Sequence, residues 1–158
     1  MTEHEDWQDE EPRGGELAFR GIPIGRRVLV AEDDPAMRDV LETVLQERGY
    51  QVATVGSGSE LAVALAQARP EARFDLIVSD VRMPGASGLD VIDRLREAGD
   101  TTPVVIVTAF PQRDVIERAR GLEVRLLEKP FDLDTLRVAV DWAIRSNAPH
   151  RARLDLSL

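Results

Sequence analysis

The 158-residue sequence contains no cysteine, so neither a disulfide framework nor a thiolate metal site can form. No apolar run approaches the ~20 residues that a membrane-spanning helix requires. The acidic N-terminus has the wrong charge for a secretory signal. The formal net charge of −9 argues against broad electrostatic binding to nucleic acids or anionic membranes. We therefore expect a cytoplasmic protein that binds neither nucleic acid nor membrane directly.

The composition divides the chain into three regions. The first is crowded with acidic residues and has no sustained apolar period, which predicts a disordered acidic tail. A functional alternative is a docking segment for a partner that uses Trp7, Leu17 and Phe19. The second region has regular periodicity and is the predicted folded domain, and the third is a predicted irregular tail. The regions are residues 1–25, 26–146 and 147–158.

Five strand-like segments alternate with five helical segments in the folded region. Most of these strands are apolar on both faces and their connections are short, which is typical of a parallel sheet covered by helices on both sides. Right-handed crossovers leave few topologies. We therefore predict an α/β fold with one five-stranded parallel sheet. The predicted strands are Arg27–Ala31, Tyr50–Val55, Leu76–Ser79, Val104–Val107 and Arg125–Leu127.

Several residues mark the ends of the predicted helices. Asp34 precedes Pro35, an N-cap followed by proline at the first helical position. Ser59 and Asp132 are predicted N-caps of the second and the last helix. Gly49 is the predicted C-terminal stop of the first helix.

Acidic residues follow two of the strands. Glu32 and Asp33 come after the first strand, and Asp80 comes after the third. In a sheet of order 2-1-3-4-5 these strands are neighbours at the topological switch point, where ligands bind. Three carboxylates at one place would repel one another unless a cation joined them, and oxygen ligands suit Mg²⁺. Any one of these acids could instead be a helix cap or a solvated loop residue, and Asp34 is assigned as a cap.

A hydroxyl and an ammonium group end two further strands. Thr108 can donate a hydrogen bond to a phosphoryl oxygen, and Lys129 can neutralise its charge. Each residue alone would more often be an ordinary strand-end threonine or a surface lysine. Together with the acids they indicate a site for a divalent metal and a phosphoryl group.

These residues resemble those of bacterial response-regulator receiver domains, the phospho-acceptor part of two-component signalling. Four motifs occur in the order of that family across about residues 26 to 146. The resemblance implies a flavodoxin-like, doubly wound (βα)5 fold of strand order 2-1-3-4-5. The motifs are Val28–Asp34, Asp80–Gly88, Val107-Thr108-Ala109 and Lys129-Pro130-Phe131.

The resemblance also implies roles for the site residues. Asp80 would accept a phosphoryl group from a phosphohistidine of a sensor histidine kinase or a histidine phosphotransfer protein. Mg²⁺ would be held by Glu32, Asp33, Asp80 and the backbone carbonyl of Arg82. Lys129 would pair first with Asp80 and then with the phosphoryl group. Thr108 would move to donate to the phosphoryl group. The chain would then be a self-dephosphorylating switch that signals to an unknown downstream protein, or passes the phosphoryl group on, rather than a turnover enzyme.

Two positions qualify this resemblance. Many family members carry an aromatic residue three positions before the lysine, and here that position is Leu126. We hypothesise that switching relies on the loop after Thr108 and on the fourth helix. Phe110 is predicted to screen the phosphoryl group partly, and a loop aromatic packed on the fourth helix is the equal alternative.

Other interpretations remain open from the sequence. The chain could be a receiver-fold interaction module that works without phosphorylation, or a receiver fragment of a larger hybrid kinase or regulator rather than a stand-alone regulator. A metal-dependent phosphohydrolase is disfavoured because Arg82, not an acid, lies two residues after Asp80. A nucleotide site at Gly56-Ser57-Gly58 is weaker still. The last helix offers a mixed-charge face that could pair weakly with a second copy or simply be solvated, formed by Asp134, Arg137, Asp141 and Arg145.

Overall fold

The computed structural model describes residues 25–109 and 111–156, excluding the side chains of residue 71 and residues 147–156. Its five strands form one parallel sheet of order β2-β1-β3-β4-β5, which confirms the predicted fold and strand order. The strands are β1 Arg27–Ala31, β2 Gln51–Val55, β3 Leu76–Asp80, β4 Val104–Thr108 and β5 Arg125–Glu128. The helices are α1 Pro35–Glu47, α2 Gly58–Gln67, α3 Gly88–Glu97, α4 Arg113–Gly121 and α5 Leu133–Leu156, with a 3-10 turn at Pro70–Ala72.

The sheet has an apolar core on each face because β1, β3 and β4 are buried on both sides. Side chains of alternate strand residues point to opposite faces. Val28 and Val30 of β1 pack on α1 and α5. Leu29 of β1 and Ile77 of β3 pack on the other face, against α2, α3 and α4. Every strand therefore ends at one edge of the sheet, the carboxyl edge, between two layers of helices.

Two of the three predicted N-caps and the predicted C-terminal stop of α1 are confirmed. Asp34 accepts a hydrogen bond from the Ala36 N–H at 3.1 Å, and Asp132 accepts one from the Thr135 N–H at 2.7 Å, so both N-caps are confirmed. Gly49 has φ of +94° just after α1 and confirms the predicted stop.

The prediction that Ser59 caps α2 is wrong. Ser57 is the N-cap, because its backbone is extended and its hydroxyl accepts from the Glu60 N–H at 3.1 Å. The side chain of Glu60 in turn accepts from the Gly56 N–H at 2.9 Å. This arrangement resembles a capping box, with serine and glutamate three positions apart.

The prediction of an irregular chain from Asn147 is also wrong, because α5 continues to Leu156. Asn147 and Pro149 are both poor helix formers. Proline removes one backbone donor, but the alanine, arginine and leucine residues that follow it favour helix. The acidic tail was predicted for residues 1–25. Residues 1–24 of this segment lie outside the described residues. In the described part of the chain, no helix has the length and apolarity needed to cross a membrane.

Candidate functional site

An ammonium group joins two carboxylates at the carboxyl edge of the sheet. The Nζ atom of Lys129 donates to Oε1 of Glu32 at 2.8 Å and to Oδ2 of Asp80 at 3.0 Å. Ala31 pairs with Ser79 in the β1–β3 register, so Glu32 and Asp80 leave adjacent strands side by side. The alternation along the strands puts both carboxylates on the α1/α5 face of the sheet, the same face as Lys129. Three residues that are far apart in the sequence therefore meet in one cluster.

Glu32 is the most deeply enclosed member of the site, with 0% of its surface exposed. Its second carboxylate oxygen accepts from the Asp34 N–H at 3.2 Å. Its backbone N–H donates to the Val55 carbonyl at 3.1 Å, and this bond extends the β1–β2 ladder by one residue. Both carboxylate oxygens and the backbone are thus satisfied, as buried polar groups require. Glu32 has a fixed position rather than a choice of rotamers.

Three carboxylates form a compact oxygen cluster that fits a hard cation. One oxygen each of Glu32, Asp33 and Asp80 lie within 4.8 Å of one another. Asp33 is exposed, whereas Glu32 and Asp80 are buried, so the cluster is open to solvent on one side. Oxygen ligands with room for water are the set that Mg²⁺ prefers. The backbone N–H of Arg82 donates to Asp80 Oδ1 at 3.4 Å, and the ligand role of the Arg82 carbonyl stays a prediction.

Burial and charge shift the pKa values of the site in a consistent way. Burial raises the pKa of the Glu32 carboxyl, and the hydrogen bonds from Lys129 and the Asp34 N–H offset this only in part. Burial would by itself lower the pKa of the Lys129 ammonium. The hydrogen bonds to Glu32 and Asp80 and their negative charges outweigh burial, so the pKa of Lys129 lies above its ordinary value. Lys129 therefore remains a cation at neutral pH.

Thr108 is the last residue of β4, and its side chain is buried with 3% of the residue exposed. Its backbone carbonyl accepts from the Lys129 N–H at 2.8 Å, so the ends of β4 and β5 are tied together. Asp80 pairs with Val107 and Thr108 pairs with Glu128 in the strand registers. Thr108 thus lies at the same edge of the sheet as Asp80. Its predicted contact with a phosphoryl group stays a prediction.

The loop after Asp80 is held by close backbone packing that sequence reasoning missed. A β-carbon on Gly88 would collide with the Asp80 carbonyl oxygen, and one on Gly58 would collide with the Ala86 carbonyl oxygen. The Gly58 N–H donates to the Pro84 carbonyl at 3.0 Å. The signal in the sequence was the glycine at the first position of α2 and of α3. Gly58 therefore has a packing role, and the nucleotide-binding interpretation of Gly56-Ser57-Gly58 gains no support.

Sequence reasoning also missed Arg38 of α1. Its Nη1 donates to the backbone carbonyl of Glu32 at 2.9 Å, and a β-carbon on Gly56 would approach the same Nη1 to 2.9 Å. Arg38 thus fits against the loops that follow β1 and β2. It lies one helical turn after Asp34, on an amphipathic helix, where an arginine gives no signal by itself.

Leu126, the residue that replaces the family's aromatic, is half-buried in β5 and pairs with Ile106. It packs with the cluster beneath α4 and lies three positions before Lys129. Phe110, the residue predicted to screen the phosphoryl group, lies outside the described residues.

A family profile described as the response regulator receiver domain matches residues 28–141, more than half of the chain. The chain belongs to the response regulator receiver family. Receiver domains are the phosphorylation-dependent signalling parts of two-component response regulators. They bind Mg²⁺ at an acidic pocket and interact with histidine kinases or phosphotransfer proteins.

Characterised relatives of this receiver domain are longer proteins. The transcriptional regulatory protein PdtaR of Mycobacterium tuberculosis is 36% identical over 122 residues, which span 77% of this chain and 58% of PdtaR. The response regulator MprA of Mycobacterium bovis is 35% identical over 135 residues, which span 84% of this chain and 56% of MprA. The chain thus spans little more than half the length of these relatives.

Solved receiver structures are similar to this one. The chemotaxis protein CheY4 of Vibrio cholerae superposes with a TM-score of 0.66 at 27% identity, covering 75% of this chain and 98% of CheY4. The response regulator TrrA of Thermotoga maritima, solved in complex with Mg²⁺ and BeF, has a TM-score of 0.64 at 29% identity. That superposition covers 73% of this chain and 96% of TrrA.

Proposed function

We propose that this receiver domain is a switch that accepts a phosphoryl group on Asp80 from the phosphohistidine of a sensor histidine kinase or a histidine phosphotransfer protein. The observation that carries the proposal is the Lys129 ammonium held at 2.8 Å from Glu32 and 3.0 Å from Asp80. A cation in that position would stabilise negative charge on a phosphoryl group attached to Asp80. The switch would signal by binding a downstream protein or by passing the phosphoryl group on. A cytoplasmic location remains a prediction.

The proposed transfer is a displacement at phosphorus. An Asp80 carboxylate oxygen attacks the phosphorus atom, and the new O–P bond forms as the P–N bond to the donor imidazole breaks. The bonding pair stays on the imidazole nitrogen, which takes up a proton. Asp80 is 8% exposed, so only a small part of its surface is open to an incoming donor. The switch is reset by a different reaction, in which water attacks the same phosphorus, the Asp80 O–P bond breaks, and inorganic phosphate and the Asp80 carboxylate are released.

Glu32, Asp33, Asp80 and the backbone carbonyl of Arg82 are the residues that would hold Mg²⁺. The cluster fits the ion because its three carboxylate oxygens lie within 4.8 Å of one another. When bound, Mg²⁺ would offset the charge of the incoming phosphoryl oxygens against the acids. Glu32 would keep the cluster in place through its two supported carboxylate oxygens. Thr108 would donate its hydroxyl to the phosphoryl group, and Lys129 would move from the carboxylates to it.

Acetyl phosphate with Mg²⁺ tests the proposal on the intact chain, with mass spectrometry as the readout. We expect a gain of one phosphoryl mass, mapped to Asp80, which Asp80→Asn abolishes. Asp34→Asn is the matched control: it is an adjacent carboxylate that caps α1, and asparagine caps equally well. Modification that persists in Asp80→Asn, or that Asp34→Asn removes as completely, would refute Asp80 as the acceptor.

A further inference from the structure

An open groove lies at the end of the molecule opposite to Asp80. It occupies about 670 Å³ beside the first residues of β4 and β5, and we call it the amino-edge groove. Parallel strands all begin at one edge of the sheet, so the groove and the start of β1 share that edge. It is lined by Arg96, Thr101, Pro103, Val104, Arg120, Gly121, Leu122, Glu123, Val124, Trp142, Ala143 and Ser146.

The groove has an apolar floor and a cationic rim. Its floor includes Leu122 and Val124, and the indole of Trp142 has 48% of its residue surface exposed. The guanidinium of Arg125 stacks over that indole at 4.8 Å from the ring centroid. Arg120 is an exposed arginine of the rim. Such a surface suits a segment that combines carboxylates with a few apolar side chains.

Arg96 and Glu123 define the charge of the groove more closely. Arg96 is half-buried and donates to the carbonyls of Leu122 at 3.0 Å and Asp100 at 3.1 Å, both neutral acceptors. The Asp100 and Glu123 carboxylates offset part of its positive charge. Glu123 is the one carboxylate among the lining residues. Among the lining residues, the groove has two guanidinium groups and one carboxylate. Arg125 and the Asp100 carboxylate add one charge of each sign at its margin, so the positive charge is in excess.

The chain itself supplies a segment of matching chemistry. Residues 1–24 contain seven acidic residues against two arginines, which amounts to five of the nine net negative charges of the chain. The same residues include the apolar side chains of Trp7, Leu17 and Phe19. The described structure begins at Gly25, whose N–H donates to the Gly49 carbonyl at 3.2 Å at the amino edge of the sheet. The segment therefore joins the folded domain on the side of the groove.

The distances allow such a contact within one chain. Neighbouring strands lie about 4.8 Å apart, so β4 and β5 are roughly 10 and 14 Å from β1 along the sheet. Residues 8–24 could span up to about 60 Å if fully extended, far more than the path requires. A short tether also gives the segment an effective concentration on the order of 1 mM at the groove. Weak charge-assisted contacts would then be enough to populate the docked state.

We propose that the acidic segment of residues 1–24 docks in the amino-edge groove of its own chain. Its carboxylates lie against Arg120, Arg96 and Arg125, and its apolar side chains cover Leu122, Val124 and Trp142. Forming this contact requires none of the chemistry at Asp80, which lies at the other edge of the sheet. The occupant is an acidic and aromatic segment of the same chain, not a separate protein.

A spin label can test this docking because the chain contains no cysteine. Gln8→Cys gives a single attachment site beside Trp7, and a nitroxide there broadens nearby amide signals in the full-length ¹⁵N-labelled protein. We expect Gly121, Leu122, Val124 and Ser146 to lose most of their peak intensity relative to the ascorbate-reduced sample. Amides of the carboxyl edge, such as those of Gly56 and Met83, should keep theirs. Broadening confined to the carboxyl edge, or no selective broadening, would overturn the proposal.

Charge and stoichiometry controls sharpen the outcome. Arg120→Glu should remove the broadening, whereas Arg113→Glu, at the other end of the same helix, should leave it unchanged. If Arg120→Glu fails to fold, Arg120→Gln gives the same comparison. Salt at 1 M, where the Debye length is about 3 Å, should also weaken the contact. Equal broadening in both variants would overturn the proposal. So would broadening in a mixture of spin-labelled ¹⁴N chains and unlabelled ¹⁵N chains, because it would assign the segment to a second copy.

Discussion

Lys129 occupies the space between two acids that would otherwise repel each other. An isolated carboxylate as enclosed as that of Glu32 would be costly to ionise. The two short ion pairs of Lys129 offset that cost and fix the ammonium where a phosphoryl group would arrive. Buried ion pairs are weak evidence for stability, because desolvation can exceed the attraction. The position of Lys129 is therefore better explained by the proposed chemistry than by the fold.

Arg38 is a positioning residue for the acidic loop, and its removal should loosen that loop. We expect Arg38→Ala to lower the free energy of unfolding by about 1 kcal/mol, since the Glu32 carbonyl loses its 2.9 Å donor. Amide hydrogen exchange at Asp34 and Gly56 should become faster. Arg94→Ala, an exposed arginine of α3, is the matched control and should leave both quantities unchanged. Exchange rates that do not differ between the variants would exclude a positioning role.

Tyr50 is the single tyrosine of the chain, and its titration should be delayed. The pKa of the Tyr50 phenol is raised to about 12, mainly by burial and to a smaller extent by the Asp141 carboxylate. The unfolded chain ionises near pH 10. The folded state binds the proton more tightly, so stability is fully present below pH 10 and falls between pH 10 and about 12, by on the order of 2–3 kcal/mol. Tyrosinate absorbance measures this directly, and a midpoint near 10 in the folded protein would contradict it.

At the scale of elements, the first turn of α2 packs on the loop after Asp80, and only glycine permits that approach. Gly58→Ala should lower the free energy of unfolding by roughly 1–3 kcal/mol, because its β-carbon meets the backbone oxygen of Ala86. Gly121→Ala is the matched control, since a β-carbon there has no atom within 4 Å. Its effect should stay within about 0.5 kcal/mol. Urea denaturation compares the two, and equal costs would argue against the packing role.

Switching through the loop after Thr108 would involve the element α4. Leu126 lies in β5 beneath α4 and has no ring that could swing inward. We expect a phosphoryl mimic at Asp80 to move the loop after Thr108 and the first turn of α4, with little change in Leu126. Structures with and without beryllofluoride compare these positions. If the loop after Thr108 superimposes in the two states, this switching mechanism would be contradicted.

For the whole molecule, much of the fold was predictable because the strands are apolar on both faces and end in polar residues. The strand order and the caps at Asp34 and Asp132 follow from such local signals. The cap of α2 was misassigned because two serines lie two positions apart and the glutamate partner of Ser57 was overlooked. The end of α5 was misjudged, and Asn147 and Pro149, which disfavour helix, lie among residues that favour it.

The site was predictable only in part. Residue types at strand ends indicated which side chains share an edge of the sheet. They did not indicate that one ammonium would bridge Glu32 and Asp80, because that contact depends on side-chain geometry across the sheet. The hydrogen bond from Arg38 to the Glu32 carbonyl and the close packing of Gly58 on the Ala86 backbone depend on contacts between different elements. Such contacts leave no periodic signal.

The acidic cluster should make the stability of the whole domain depend on Mg²⁺. A ligand that binds only the folded state at 100 times its dissociation constant stabilises it by about 2.7 kcal/mol. We expect thermal unfolding of the unchanged chain to shift upward with added Mg²⁺. Asp33→Asn should abolish most of the shift, and its stability without Mg²⁺ should rise because one of three clustered charges is gone.

Asp34→Asn is again the control, since Asp34 caps α1 and is not one of the three clustered acids. It should retain the full Mg²⁺ response. An equal response in the Asp33 and Asp34 variants would exclude the acidic cluster as the binding site.

Helix α4 runs from the loop after Thr108 at one end to the amino-edge groove at the other, a length of about 13 Å. If a rigid helix of this kind moves as one body, a shift at one of its ends is also felt at the other. If phosphorylation of Asp80 shifts α4 as proposed, an occupant of the groove that prefers one position of α4 would bias the state of Asp80 by a coupling free energy. By reciprocity, phosphorylation would then change the affinity of the groove by the same factor. Through the two ends of one short helix, the affinity of the groove would then report on phosphorylation at the opposite edge of the sheet.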